Sequence, residues 1–263
     1  MDFGIQGKIA LVTASSKGLG RASAEELSRE GCRVAICSRN EVEINQVAQE
    51  ISASTGNEVI PFTADMSQAD QIDNLFSAVR EKLGDPDIVV VNAGGPPPGN
   101  YANTPLETYP DAIELTLMSG VRMTHAALPA MQKKGWGRIV FISSISVKQP
   151  IPVLLLSNMA RAGLTGFMKT VASEVAASGV TLNAVLPGAH RTDRVVATAK
   201  TEAENKGVSV DEILAEKAAA IPMKRMGEAK ELAALVTFLS SDRASFITGT
   251  STVVDGGSYN GLM

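Results

Sequence analysis

The chain has 263 residues, of which 44% are hydrophobic, and a formal net charge of −4 with a pI near 5.4. This length supports one α/β domain with a large buried core. The acidic balance, without clustered Lys and Arg, argues against a nucleic-acid partner. The only cysteines, Cys32 and Cys37, predict neither a disulfide framework nor a zinc site, so we interpret them as buried thiols and expect no metal.

The start of the chain has no basic segment followed by a long apolar run, which is the pattern of a secretory signal. No later segment reaches the length of about 18 uncharged apolar residues that a membrane helix requires. The sequence therefore predicts a cytoplasmic protein without a membrane partner.

Short apolar runs rich in Val and Ile alternate along the chain with segments of helical spacing. Such continuous runs fit strands that are buried on both faces of a parallel sheet. The alternation predicts an α/β fold, a single Rossmann-type domain over residues 1–263 with a doubly wound parallel seven-stranded sheet. The polar, Ala-rich interval of about 189–227 is interpreted as a helical substrate-loop insertion. The predicted strands are 8–14, 33–38, 58–64, 87–93, 137–144, 180–187 and a last one from Thr250, and the clearest helical segments are 21–30 and 68–84.

The first predicted strand runs into a glycine-bearing turn. Gly18 and Gly20 stand where strand must become helix, so the backbone can approach a phosphate and present helix N-terminal N–H groups to it. The pattern is typical of a dinucleotide site. The alternative is that these glycines serve only the tight turn.

Basic residues stand where they would select the nucleotide. In dinucleotide folds an acidic residue after the second strand binds the ribose diol of NAD, whereas a basic residue there accommodates the additional phosphate of NADP. Here that position is Ser38-Arg39, and Lys17 supplies a second positive charge from the turn. We therefore expect NADP(H) as cofactor rather than NAD. The alternative is that Arg39 and Lys17 are solvated surface charges.

Six motifs in the right order make the chain similar to a known family. They are the turn Thr13-Ala14-Ser15-Ser16-Lys17-Gly18-Leu19-Gly20, with Ala14 where the family has its first glycine, Asp65 after the third strand, Asn92-Ala93-Gly94 after the fourth, Pro187-Gly188 after the sixth, Thr192, and the C-terminal segment from Ile247. The chain resembles a short-chain dehydrogenase/reductase over nearly its whole length, and most of all the 3-oxoacyl-carrier-protein reductase branch.

The resemblance implies a set of NADP(H)-binding residues and a helical pairing that makes a homotetramer. It also implies a small-molecule substrate, for which an acyl thioester or another carbonyl compound is the candidate. The implied cofactor-binding residues are Thr13, Ser15, Ser16, Lys17, Gly18, Leu19, Gly20, Ser38, Arg39, Asp65, Met66, Asn92, Ala93, Gly94, Arg161, Pro187, Gly188 and Thr192.

The resemblance also implies an active site of Asn, Ser, Tyr and Lys, and here the chain departs from the family. Alignment places the four positions at Thr116, Ser144, Ser157 and Arg161, so only the serine keeps its identity. A serine hydroxyl is shorter than a phenol and a much weaker acid, so Ser157 is not a simple replacement for Tyr. Arg161 is better suited to clamp an anion or a ribose hydroxyl than to relay a proton.

A different proton donor is therefore needed if the protein reduces a carbonyl group. His190 follows Gly188 closely and has a side chain suited to acid–base work, so we take it as the leading hypothesis. The alternatives are a purely structural His190 and an approach of Tyr259 from the C-terminal loop. His125 is interpreted as a packing residue.

Three functions remain open from the sequence. The first is an NADP(H)-dependent oxidoreductase in which Ser144 orients a carbonyl or alcohol oxygen. The second is a non-redox enzyme that reuses the pocket, and the third is an NADP-binding sensor or assembly subunit. We prefer the first. Apolar residues after the fifth strand, with Lys148 and Arg161, suit an apolar substrate with an anionic or carbonyl end, or equally a subunit contact.

Overall fold

The computed structural model describes residues 2–262, and its centre is a sheet of seven parallel strands. Their order, β3-β2-β1-β4-β5-β6-β7, reverses direction between β1 and β4. Ligands of open α/β sheets bind beyond the carboxyl ends of the strands at such a reversal, which places the functional cleft there. The strands are β1 (Ile9–Val12), β2 (Arg33–Ser38), β3 (Val59–Thr63), β4 (Ile88–Val91), β5 (Gly137–Ile142), β6 (Val180–Pro187) and β7 (Ser251–Val254).

Helices cover both faces of the sheet. The central strands β1, β4 and β5 are buried along their whole length, which explains their unbroken runs of Val, Ile and Leu. One apolar core contains Phe76, Met123 and Met168, and the core on the opposite face contains Leu27 and Val236. The helices are α1 (Gly18–Arg29), α2 (Glu41–Thr55), α3 (Ala69–Lys82), α4 (Thr108–Ile113), α5 (Ser119–Lys134), α6 (Leu155–Val175), α7 (Asp193–Lys206), α8 (Val210–Ala219) and α9 (Ala229–Leu239).

The fold class predicted from the sequence is confirmed, whereas several predicted element ends are wrong. Strand β1 ends at Val12, because Ala14 two residues later has a φ of +45°, which is incompatible with a strand. Helix α1 starts at Gly18, three residues before the predicted 21–30 segment, with Lys17 as an extended N-cap that makes no side-chain cap. The sequence did not predict this earlier start, because Gly18 and Gly20 have low helix propensity.

Two helices, α7 and α8, lie within the interval 189–227 that was predicted as an insertion. The two helices pack on each other around Ala199, Ala203 and Ile213, which form a small apolar cluster of their own. Within residues 2–262, no helix combines the length and the apolar character that crossing a membrane requires.

Candidate active site

The glycine-bearing turn is held in place by contacts to the end of β4. Thr13 Oγ1 donates a hydrogen bond to Asn92 O at 2.6 Å and accepts one from Asn92 N at 3.0 Å. Asn92 Nδ2 in turn donates to Ala14 O at 3.0 Å. A Cβ atom on Gly20 would lie 2.5 Å from that same Ala14 oxygen, so only glycine fits at this position. The turn is thus packed too tightly for any side chain at residue 20.

Ala14 stands where the family pattern has glycine, and the structure shows what this substitution requires. Its φ of +45° lies in the left-handed region that L-residues with a Cβ rarely adopt. Gly18 has a similar φ of +56°, but glycine has no Cβ and adopts this conformation without strain. The turn therefore keeps its shape at residue 14 by holding an alanine in a strained conformation.

Ser15 was predicted as a cofactor-binding residue, but its hydroxyl is committed to the protein main chain. The side chain is fully buried, donates to Val12 O at 2.8 Å and accepts from Cys37 N at 3.1 Å. These bonds tie the turn to strand β2. The structure therefore places Ser15 as a support of the turn and not on the cleft surface.

A cavity of about 470 Å³ opens beside the turn at the carboxyl ends of β1, β2 and β4. It is large enough for the adenosine part of a dinucleotide, and its polar lining includes hydroxyls, two carboxylates and two cations. The predicted residues that line it are Ser16, Lys17, Ser38, Arg39, Asp65, Met66 and Gly94; Gly95, Pro96, Pro97 and Leu115 also line it and were not predicted as binding residues.

The charge in this cavity is less positive than the sequence suggests, because Glu43 also lines it. Lys17 Nζ lies 2.6 Å from Glu43 Oε1, with 59% and 30% of the two side chains exposed. The hydrogen bond from Lys17 lowers the pKa of Glu43, and the same bond raises the pKa of Lys17. Asn40 caps helix α2 by accepting from Glu43 N at 3.1 Å, which places Glu43 on the first turn facing Lys17. Sequence reasoning missed Glu43.

Thr192 lies beside the glycine turn, and the Pro187-Gly188 pair ends strand β6 next to the C-terminal loop. Thr192 is the N-cap residue of α7, and its Cγ2 lies 3.4 Å from the position of a Cβ on Gly18. A Cβ on Gly188 would lie 2.5 Å from Cβ of Asp255 in the last loop, so glycine is required there. The first contact brings Thr192 next to the glycine turn, whereas the second ties Gly188 to the C-terminal loop.

Ser157 and Arg161 lie one helical turn apart on α6 and contact each other. Arg161 Nε donates to Ser157 Oγ at 3.1 Å, and Nη1 donates to Ile142 O at the end of β5, also at 3.1 Å. Only 9% of Arg161 is exposed. Burial, and secondarily the charge of Arg194, lower the pKa of Arg161 to about 10, which still leaves it cationic at neutral pH.

The other two predicted active-site positions also lie at the carboxyl end of the sheet or beside it. Ser144 follows β5 in an extended conformation, and its Oγ accepts from Ser146 N at 3.1 Å. Thr116 lies in a π-helical turn, 114–118, between α4 and α5, and its buried Oγ1 has no hydrogen-bond partner within residues 2–262. π-Helical turns are rare in proteins, and a large share of those that occur lie at functional sites.

The structure does not bring His190 together with this group. Its Nδ1 lies 3.3 Å from Gly188 O, and its Nε2 faces Gly227. It lines a separate cavity of about 350 Å³, whose lining includes Glu231 and Asp255 but none of the four aligned active-site positions. Burial lowers the pKa of His190, which favours the neutral ring. The proposed role of His190 as proton donor thus gains no support from its surroundings.

Tyr259, the other sequence candidate, lies on the C-terminal loop with its ring 5.5 Å from Lys148 Nζ. Its backbone N–H donates to Asp255 Oδ2 at 2.6 Å, which fixes the loop at this point. Lys148 ends the short helical turn that begins after Ser144. The two side chains therefore connect the last loop with the loop after β5.

Comparison with known proteins agrees with this arrangement. A family model described as enoyl-(acyl carrier protein) reductase matches residues 13–259. The 3-oxoacyl-[acyl-carrier-protein] reductase of Haemophilus influenzae is 38% identical over 255 residues, which cover 97% of this chain and 99% of that protein.

Solved structures show the same likeness over the whole chain. L-sorbose reductase from Gluconobacter frateurii, complexed with NADPH and L-sorbose, superposes with a TM-score of 0.96 at 32% identity and full coverage of both chains. A variant of the actinorhodin polyketide ketoreductase with NADPH gives a TM-score of 0.92 at 32% identity, covering 97% of this chain and 98% of that one. The fold, the motifs and these relatives together show that the chain belongs to the short-chain dehydrogenase/reductase family, an oxidoreductase family.

Proposed function

We propose that the protein is an NADPH-dependent reductase of a small carbonyl compound. The observation that carries the proposal is the cavity beside the glycine turn, where Arg39, Lys17 and Ser38 line the place expected for a phosphate on the adenosine ribose. The residues fit the cofactor, because two cations and a hydroxyl line the cavity beside the N-terminus of α1, where backbone N–H groups suit a phosphate. Two structural relatives, the sorbose reductase and the polyketide ketoreductase, are complexed with NADPH.

In this proposal each part of the cofactor has its own residues. Arg39 and Lys17 bind the 2′-phosphate, Asp65 and Met66 border the adenine, and the N-terminus of α1 faces the pyrophosphate. Thr192, which lies next to Gly18 of the glycine turn, would hold the nicotinamide end of the cofactor. The bound cofactor would supply a hydride to the carbonyl carbon.

The chain's own side chains then act on the substrate oxygen. Ser144, at the end of β5, orients the carbonyl by hydrogen bonding. Ser157 Oγ accepts its bond from Arg161 Nε, so its own hydrogen is free to point toward the substrate. Neither group is acidic enough to replace a phenol, so the oxygen takes its proton from water. General acid catalysis contributes about 10²- to 10⁴-fold, so this reductase is expected to be slower than relatives with an acid in place.

The predicted replacement of the family's Tyr and Lys by Ser157 and Arg161 also supports a second candidate. A protein that binds NADPH without turnover, as a sensor or assembly subunit, would need the cavity but not the acid. A fluorescence titration of NADPH, followed by an oxidation assay with ketones, aldehydes and acyl thioesters, separates the two. Binding with measurable oxidation supports the reductase, and tight binding without oxidation of any of these compounds supports the sensor.

We further propose a cytoplasmic homotetramer in which α5 and α6 pair between subunits. Met159 on α6 is exposed, as an apolar contact residue would be before assembly. The interval 189–227 is proposed to close over the substrate. Light scattering at several protein concentrations tests the oligomer, since a monomer at all of them would contradict it.

A further inference from the structure

We infer that protonation of His190 opens the neck of the helical insertion 189–227 and frees helices α7 and α8 from the rest of the protein. The neck consists of residues 188–191 and Gly227, where the two ends of the insertion meet. Such a switch goes beyond the proposed reductase function and does not depend on it. It follows from a buried histidine whose surroundings fit only the neutral ring.

The insertion leaves the body of the protein and returns to it at one point. Gly227 N donates a hydrogen bond to Ala189 O at 3.0 Å, and Arg191 N donates one to Gly227 O at 2.8 Å. His190 and Gly227 thereby form an isolated parallel β-bridge. Helices α7 and α8 both lie between these two ends of the chain, so the bridge fixes the point at which the pair is attached.

Helices α7 and α8 have little other support within residues 2–262. Each packs mainly on the other, around the small apolar cluster that the two share. Outside the neck, Arg194 Nη2 donates to Pro96 O at 3.1 Å, and Met223 N donates to Gly256 O at 3.2 Å. Helices of 14 and 10 residues are marginal in water without tertiary packing. Opening the neck therefore loosens both helices.

His190 is sealed inside the neck. Only 3% of the residue is exposed, and its Nδ1 lies 3.3 Å from Gly188 O. A carbonyl oxygen accepts hydrogen bonds but cannot donate them, so Nδ1 carries the proton of the neutral ring. Nε2 is buried without a hydrogen-bond partner in the described part of the chain, and it would lie 2.8 Å from a Cβ on Gly227. Glycine at this position thus lets the unprotonated Nε2 lie directly against the backbone.

Charged groups from three elements share the cavity of about 350 Å³ with His190. Glu231 comes from α9, Asp255 from the loop after β7, and Arg225 from the end of the insertion. Arg225 donates to both oxygens of Glu231, at 2.8 and 2.6 Å, and backbone N–H groups of the last loop donate to both oxygens of Asp255. The two carboxylates favour a charged ring, but burial opposes it more strongly and lowers the pKa of His190.

A second proton on the ring changes this arrangement. Protonated Nε2 becomes a donor that has no acceptor inside the neck, and a buried unpaired charge is strongly unfavourable. The ring reaches solvent and the carboxylates of the cavity only by turning away from Gly227, which breaks the β-bridge. The closed neck therefore binds fewer protons than the open one, so a fall in pH favours the open form. Because His190 in the open form has the ordinary pKa of about 6.5, the open fraction rises by up to about tenfold by about pH 5.5.

Hydrogen–deuterium exchange of the cofactor-free protein tests this switch. Exchange is compared at about pH 7.5 and about pH 5.5, after correction for the intrinsic pH dependence of amide exchange. We expect the amides of Arg191 and Gly227, and those of α7 and α8, to exchange up to about tenfold faster at the lower pH. Helix α3, which packs on the sheet, should show no such change and serves as the internal control. An equal acid response in α3, which would mean global destabilisation, or no response in the neck would overturn the inference.

The chain offers a matched control, because His125 on α5 is its only other histidine. His190→Asn should abolish the acid response of the neck, and His125→Asn should keep it. A response that survives in His190→Asn, or is lost in His125→Asn, contradicts the role of His190. If His190→Asn leaves the neck open at both pH values, NMR titration of the two histidines in the unaltered protein decides. The His190 midpoint must then coincide with the midpoint of the exchange transition, and separate midpoints overturn the inference.

Discussion

Replacing Glu43 by Gln should tighten NADPH binding selectively. Glu43 and Lys17 both line the cavity, with 2.6 Å between their charged atoms. A 2′-phosphate on the other side of Lys17, at an ordinary distance of about 2.8 Å, would lie roughly 5–6 Å from the Glu43 carboxylate. With about two negative charges on the phosphate and the dielectric constant of water, the repulsion weakens binding about tenfold.

The assay is a fluorescence titration of NADPH and NADH at low ionic strength. Glu43→Gln should lower the Kd for NADPH by about tenfold and leave that for NADH, which lacks the phosphate, unchanged. Glu50→Gln is the matched control, because Glu50 is also on α2 and pairs with Arg21 at 2.8 Å, outside the cavity lining. An unchanged or weaker affinity for NADPH in Glu43→Gln, relative to this control, would refute the placement of the phosphate.

Three further outcomes are expected. The double variant Ser157→Tyr with Arg161→Lys should speed carbonyl reduction by tens-fold, measured as NADPH oxidation, and no gain would count against the alignment of these positions. Gly20→Ala places a Cβ 2.5 Å from the Ala14 oxygen and so distorts the glycine turn. This variant should lose most of its NADPH affinity in the same titration, and retained affinity would contradict the role of the turn in cofactor binding. Burial depresses the pKa of His190 below 6.5, so the folded state binds fewer protons there than the unfolded state. The free energy of unfolding, measured in urea, should therefore decrease as pH falls from about 6.5 through the folded pKa. His190→Asn should reduce the slope of this free energy against pH, and an equal slope in the variant would show that His190 is not its cause.

Much of the fold was predictable because its signals are local. Runs such as Ile88–Val91 are apolar at every position, and their β-α-β alternation permits few topologies. The glycine turn and Thr192 were also predictable, since short motifs carry them. Arg161 and Ser157 were found by alignment with the family pattern, and their contact shows that they lie on one helical face.

The remaining features depend on contacts between distant parts of the chain. Arg194 meets Pro96 across 98 sequence positions, and no local pattern predicts that contact. Glu43 stands in the first turn of α2, and only the fold brings it against Lys17, 26 positions earlier in the chain. His190 looked suitable because it follows Gly188, but the chain turns its ring toward Gly227. Sequence distance was a poor guide to the direction in which these side chains point.

The most direct measurement is a crystal structure of the protein with NADPH. Our account predicts the 2′-phosphate within hydrogen-bonding distance of Arg39 and Lys17, on the side of the lysine away from Glu43. The nicotinamide should lie between Thr192 and Ser144. A nucleotide bound elsewhere, or a cavity that stays closed by its own side chains at saturating NADPH, would contradict it.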